Sequence, residues 1–209
     1  AVASAIGLIT LIVAHHLSSQ GDTMEMMRAV LDSNFWLATH VTCITIGYGS
    51  TFVSGFLGIL HIVLRLAAPR RHEESAATLE RMIYGVVCFS TFFSFLGTIL
   101  GGIWADQSWG RFWGWDPKEV WALIALLCYL GILHGRFAGW VGQFGFAVWS
   151  VVSFLSVIMA WYGVNFVLGV GLHSYGFSSG GGIWVAGFVG LQLAYVALVA
   201  LARVRGSKR

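Results

Sequence analysis

Five of the ten tryptophans, Trp104, Trp109, Trp113, Trp115 and Trp121, fall within 18 residues of a 209-residue chain. Indole rings offer large, flat contact area with few torsions to freeze, so such a cluster can form a platform for a planar apolar ligand. Gly110 and Gly114 interleave the rings and let the backbone approach closely. An interfacial aromatic belt would explain one or two tryptophans at each helix end. It explains five in one stretch less well, because the same belt would spread rings over the other helix ends. The second chemical resource is a set of seven histidines: His15, His16, His40, His61, His72, His134 and His173.

The stretch after the aromatics, Asp116-Pro117-Lys118-Glu119, reads as the start of a helix. Aspartate suits the N-cap, proline the first helical position, and a glutamate three residues on can close a capping box. Asp116 and Glu119 therefore have a structural task. Arg111 and Lys118 are the nearby cations, and they suit either carboxylates of a ligand or lipid phosphates.

These residues need elements to position them, and composition says which. Only 10% of residues are charged, against about 25% in an ordinary soluble domain. A membrane span needs about 20 mainly apolar residues. Six stretches approach that length: roughly 1–17, 37–65, 82–103, 119–139, 141–162 and 181–202. The expected fold is all-α, a polytopic membrane helix bundle of about six spans in a single domain over 1–209. Its connections are loops at about 18–36, 66–81, 104–118 and 163–180 and a tight turn near Arg136–Trp140. The two prolines, Pro69 and Pro117, fall in loops, which predicts uninterrupted helices. The chain opens on Ala1 within an apolar run, which suggests part of a longer polypeptide.

Basic residues orient the bundle. Arg65, Arg70, Arg71, Arg81, Arg136, Arg203, Arg205, Lys208 and Arg209 share one side, and Arg28, Arg111 and Lys118 the other. The positive-inside rule then puts both termini in the cytoplasm and the tryptophan loop outside. A net charge of +3 without a basic stripe argues against nucleic acid. Cys43, Cys88 and Cys128 lie far apart in apolar runs and read as packed thiols, with neither a disulfide framework nor a zinc site. The sequence holds no Cys-x-x-Cys-His and no Walker motif.

With the spans placed, the histidines sort by depth. His40 and His173 lie at the outer side with the aromatic loop, as do His15 and His16 at the end of the first span. His61 and His134 lie nearer the cytoplasm, and depth alone would pair them, while His72 sits in a charged loop. A single buried histidine is most simply an interhelical hydrogen bond. Two histidines beside an indole platform suggest more, because imidazole is a common axial ligand of haem iron. Two other classes compete: a b-type membrane electron carrier, and a haem-free subunit whose aromatics anchor it in lipid.

The stretch "WGRFWGWDPKEVWALI" (109–124) resembles the WWD signature of haem-handling proteins in cytochrome c biogenesis. "HGR" at 134–136, "GVGLHSYGF" at 169–177 and "DSNFWLATHVTCITIGYG" at 32–49 are similar to the CcsA/ResC branch, including chains in which CcsB and CcsA halves are fused. The likeness runs from about residue 30 to 190. It implies that His40 and His173 ligate haem iron at the outer face, with a WWD loop over 104–121 and Trp109, Trp113, Trp115, Asp116 and Trp121 holding the haem. It implies that His134 ligates haem within the membrane, with a partner from the CcsB half; His61 then recedes as a candidate. The implied cofactor and cargo is haem b. The implied activity is that of a holocytochrome c synthase (haem lyase) component in the bacterial inner membrane. Its implied partners are a CcsB-type half, an apocytochrome c with Cys-x-x-Cys-His, thiol-reducing proteins and membrane lipid.

Overall fold

The computed structural model describes residues 2–18, 34–67, 73–173 and 181–206, and no strand occurs among them. The chain divides into two compact units, Ala1–Asn34 and Phe35–Arg209. The first carries helix α1, Val2–Ser18, an apolar stretch with His15 and His16 in its last turn. The second carries five helices, each long and apolar enough to cross a membrane: α2 (Asn34–Ala67), α3 (Glu73–Trp109), α4 (Pro117–Phe137), α5 (Gln143–Leu168) and α6 (Gly182–Ala202, continuing helically to Gly206). The protein is a multi-pass membrane protein.

Contact pairs run in opposite directions along α2 and α3: Ile44 meets Gly97, Gly47 meets Ser94, and His61 meets Ala76. These helices are therefore antiparallel. Small residues let the backbones approach, which is how helices associate where lipid removes the hydrophobic drive between them. A Cβ on Gly97 would lie 2.9 Å from the Ile44 backbone nitrogen, and one on Gly58 would lie 2.8 Å from the Ala147 carbonyl oxygen. Between the helices, Ile62, Ile83, Val87, Phe146, Val151 and Val157 are fully or almost fully buried. Phe92, Phe95, Leu127 and Leu191 point outward, the pattern of a bundle solvated by lipid. α6 packs chiefly on α5, and the Tyr195 hydroxyl donates to the Ile59 carbonyl of α2 at 3.2 Å.

Three expectations change. The second charged loop is shorter than 66–81, because α3 begins at Glu73, with Glu73 and Glu74 in its first turn. Acidic side chains are favourable at a helix N-terminus, so charge there did not mean loop. At its other end α3 runs on to Trp109, so Trp104 and Trp109 are helical and the connection to α4 is only 110–116. Finally, the helices are not uninterrupted. Leu37–Val41 of α2 and Met159–Leu168 of α5 are π-helical. Proline is one cause of a helix irregularity, and a π segment needs none.

Candidate functional site

α4 starts as its sequence demands. Asp116 is the N-cap with ψ 144°, and its carboxylate accepts the Lys118 backbone N–H at 2.9 Å. Glu119 reaches back to accept the Asp116 N–H at 3.1 Å, completing the capping box. The same Glu119 carboxylate accepts the Gly114 N–H at 2.8 Å and the Arg111 guanidinium at 3.0 Å. One buried glutamate thus ties down three points of the aromatic loop. Arg111 is committed within the protein, which leaves Lys118 as the cation here whose side chain has no carboxylate partner among the described residues.

Asp116 has a second set of partners. Oδ2 accepts the Leu172 backbone N–H at 2.6 Å, and Oδ1 accepts from His173 Nδ1 at 3.0 Å. The 169–173 segment therefore hangs on the same carboxylate that starts α4. Gly171 makes this possible, with φ +98° and no side chain to meet Asp116 Oδ2. Burial pulls the His173 pKa below its ordinary 6.5, and the Asp116 carboxylate pulls it back up. The Trp109 ring stands edge-on to His173 at 5.0 Å.

His40 is held from another direction. It lies in the π-helical turn of α2, and its Nδ1 donates to the Gly97 carbonyl of α3 at 2.8 Å. The ring rests over Gly101, where a Cβ would lie 2.7 Å from Cε1, and tilts against Trp104 at 5.4 Å. Trp104 and Trp109 stand five residues apart on α3, and each holds one histidine. A charge on His173 is felt at His40. Both donate at Nδ1, and a neutral imidazole that donates there carries its lone pair at Nε2. That is the tautomer an iron ligand needs.

In the loop, Phe112 lays its ring tip on Gly102, and Trp113 and Trp115 meet edge to face at 6.0 Å. Trp115 is 69% exposed and has φ +57°. A left-handed tryptophan costs about 1–2 kcal/mol and persists only where its surroundings impose it. Capping by Asp116 and the Glu119 anchor on Gly114 impose it here. Trp121 sits a turn into α4, and no ring contact joins it to either histidine among the described residues.

The other histidines separate. His61 is buried, and its Nδ1 donates to the Ala76 carbonyl at 3.1 Å while Nε2 finds no hydrogen-bond partner among the described residues. His134 is exposed, and its Nδ1 donates at 2.7 Å to Leu130 of its own helix. No contact pairs His61 with His134 among the described residues. Near them Arg136 of α4 forms an ion pair with Glu80 of α3. His15 and His16 are exposed on α1, and His72 lies outside the described residues. The three cysteines are free thiols.

Comparison with known proteins decides the family. Residues 1–173 match the family model described as cytochrome C assembly protein. The chain belongs to this family, in its CcsA-type branch. It is 37% identical over 162 residues to cytochrome c biogenesis protein CcsA of Chlamydomonas reinhardtii, a match covering 73% of this chain and 45% of that protein. It is 34% identical to CcsA of Guillardia theta, covering 70% of this chain and 55% of the relative. Protein NrfI of Wolinella succinogenes is 39% identical over 77% of this chain, which corresponds to 18% of NrfI. The chain spans about half the length of the CcsA relatives it matches and under a fifth of NrfI. The role of a cytochrome c assembly protein lies in cytochrome c biogenesis.

The sequence suggests grouping His40, His173, Trp109, Trp113, Trp115 and Asp116; direct contacts join His173 to Asp116 and Trp109, and Trp113 to Trp115, while His40 rests on Gly97 and Trp104. Sequence reasoning missed Trp104 as the ring against His40, although that residue was already part of the tryptophan cluster. It also missed the 171–172 backbone that grips Asp116. The signal available was the glycine two residues before His173.

Proposed function

We propose that this chain is the haem-handling membrane part of a cytochrome c synthase, in which haem b is cargo rather than a resident cofactor. One observation carries the reading: two imidazoles from different elements, each with Nδ1 engaged as a donor, beside indoles on one helix and an exposed aromatic loop. That donor set suits low-spin haem iron, with His40 and His173 ligating through Nε2. Trp109, Trp113, Trp115 and Trp121 would flank the macrocycle, and Lys118 is the cation open to a propionate. His134 would serve a second haem contact at the opposite end of α4, completed by a ligand from a CcsB-type half, whether fused or separate. The positive-inside bias favours a cytoplasmic side at that end and an extracytoplasmic face, in a bacterial inner membrane, for the aromatic loop.

Haem supplies two vinyl groups, and each thioether forms when a thiol adds across one of them, sulfur to one carbon and hydrogen to the other, with no net redox change. The chain's own contribution is to bind and orient. His40 and His173 would hold the ring, and the exposed loop would face the Cys-x-x-Cys-His segment of an exported apocytochrome c. That segment must arrive as free thiols, so thiol-reducing proteins belong among its partners.

The test is co-expression of the complete synthase with a c-type apocytochrome. Replacing both His40 and His173 by Ala is expected to abolish covalent attachment, with recovery on addition of imidazole. Attachment that survives both replacements without imidazole would sink the synthase reading of those residues. A purified wild type with a haem spectrum that never passes haem to an apocytochrome would favour the b-type electron carrier instead.

A further inference from the structure

The two histidines differ in what holds them. His40 Nδ1 donates to a neutral backbone carbonyl, that of Gly97, at 2.8 Å. His173 Nδ1 donates to a buried carboxylate, that of Asp116, at 3.0 Å. The Asp116 carboxylate is held in turn by the Lys118 and Leu172 backbone N–H groups, at 2.9 and 2.6 Å. It is therefore fixed in place from both sides and does not swing to meet the imidazole.

From this we infer that Asp116 is a positioning residue for His173, and that it makes the two haem ligands unequal. Its carboxylate fixes the His173 tautomer, aims Nε2 away from α4 and enriches the ring in electron density. An imidazole that donates to a carboxylate is a stronger metal ligand than one that donates to an amide carbonyl, because charge-assisted hydrogen bonds are roughly twice as strong. His173 is then the stronger donor and His40 the weaker. A stronger axial donor favours ferric over ferrous iron, so Asp116 lowers the reduction potential of haem at this site. The inference gives Asp116 no contact with haem, only with the ligand. It rests on the proposed haem site.

The same carboxylate caps α4, so a test must separate the electronic role from the structural one. Asparagine caps helices as well as aspartate does, so Asp116→Asn can keep one oxygen on Lys118 and His173 while removing the charge and, with it, the bond from the Leu172 N–H. Glu119→Gln does the reverse: it weakens the Glu119 anchors of the loop and leaves the Asp116 carboxylate on His173. The experiment measures reduction potential and the low-spin absorbance of haem in the full-length synthase for wild type and both variants. The expected result is a potential raised more in Asp116→Asn than in Glu119→Gln, because the Glu119 carboxylate also acts on His173 but makes no hydrogen bond to it. If Asp116→Asn loses low-spin haem altogether, recovery of that spectrum by added imidazole supports the inference, and failure to recover overturns it. Equal potentials in wild type and Asp116→Asn overturn it, as does an equal rise in both variants, which would mark a purely structural effect. A wild type that binds no haem overturns this inference together with the proposed function. A haem-loaded wild type whose potential ignores Asp116 overturns this inference alone.

Discussion

The two ends of α4 use charge in opposite ways. At its N-terminus, Asp116 and Glu119 bind mainly backbone N–H groups, and through them fix a loop and a histidine. At its C-terminus, Arg136 pairs with Glu80 across helices, and His134 bonds within its own turn. Buried charge at the first end shapes a site from loop backbone. At the second it joins two helices and leaves an exposed histidine open to a partner from outside the chain. On the proposed function, a site finished within the chain and a half-site would share one helix.

The largest test of this contrast is removal of ligands. Replacing His40 or His173 by Ala should abolish low-spin haem at the loop end, with recovery in imidazole, read as the absorbance of purified protein. His134→Ala should leave that spectrum intact and lower haem content only where the CcsB-type half is present, because the His134 side chain hydrogen-bonds to its own helix at the far end of α4 from the loop. Equal losses from His134→Ala and His173→Ala would erase the distinction between the ends.

The second test asks whether the Glu80–Arg136 pair is structural. Removing one partner of a buried pair costs about 3–5 kcal/mol, since the other charge stays buried and alone. Glu80 is buried and Arg136 only partly so, which puts Glu80→Ala below that range, at about 2 kcal/mol. The measurement is thermal unfolding in detergent, with the double replacement by Leu expected to be milder than either single change.

The loop end should answer more locally. Gly171→Ala must adopt a left-handed φ and push its methyl into Asp116, which costs about 1–3 kcal/mol of local order. It should weaken haem retention far more than it lowers the unfolding temperature.

The smallest effect is that of pH on the haem-free protein. Burial sets the folded pKa of His173 below its ordinary 6.5. The neutral form is favoured on folding, so this contribution is complete above 6.5 and is lost as pH falls through the folded value. Unfolding of wild type should show that loss on the acid side of 6.5, and His173→Gln should flatten it.

Much of this was legible in the residues. The spans follow from apolar length, and the start of α4 from Asp116, Pro117 and Glu119, because capping chemistry is local. Depth put His40 and His173 on the outer side together with His15 and His16, and the aromatic loop and the family resemblance singled out the pair. The hidden parts depend on contacts between distant segments. Nothing in the order of residues tells that Leu172 donates to Asp116, 56 positions away, or that Arg111 is spent on Glu119. The length of α3 was missed because Glu73, Glu74 and Glu80 look like loop charge, whereas two begin the helix and the third is paired. The left-handed backbone of Trp115 has no signature in a side chain that ordinarily avoids that conformation.

The π-helical turn at Leu37–Val41 has a consequence for how this protein tolerates change. A π turn holds one residue more than an α turn of similar height. Deleting a single residue there would let the helix become regular, and each residue of an α-helix advances about 100° around the axis. Because the extra residue is absorbed within the π turn, the segments on either side would keep their mutual register, while residues inside it rewind toward that angle and shift the His40 ring from the Gly97 carbonyl. Conservative replacements along Leu37–Val41 should therefore be borne far better than loss of one position. Which way the His40 ring faces is set by a residue count, and an insertion or deletion is the kind of mutation that reads it.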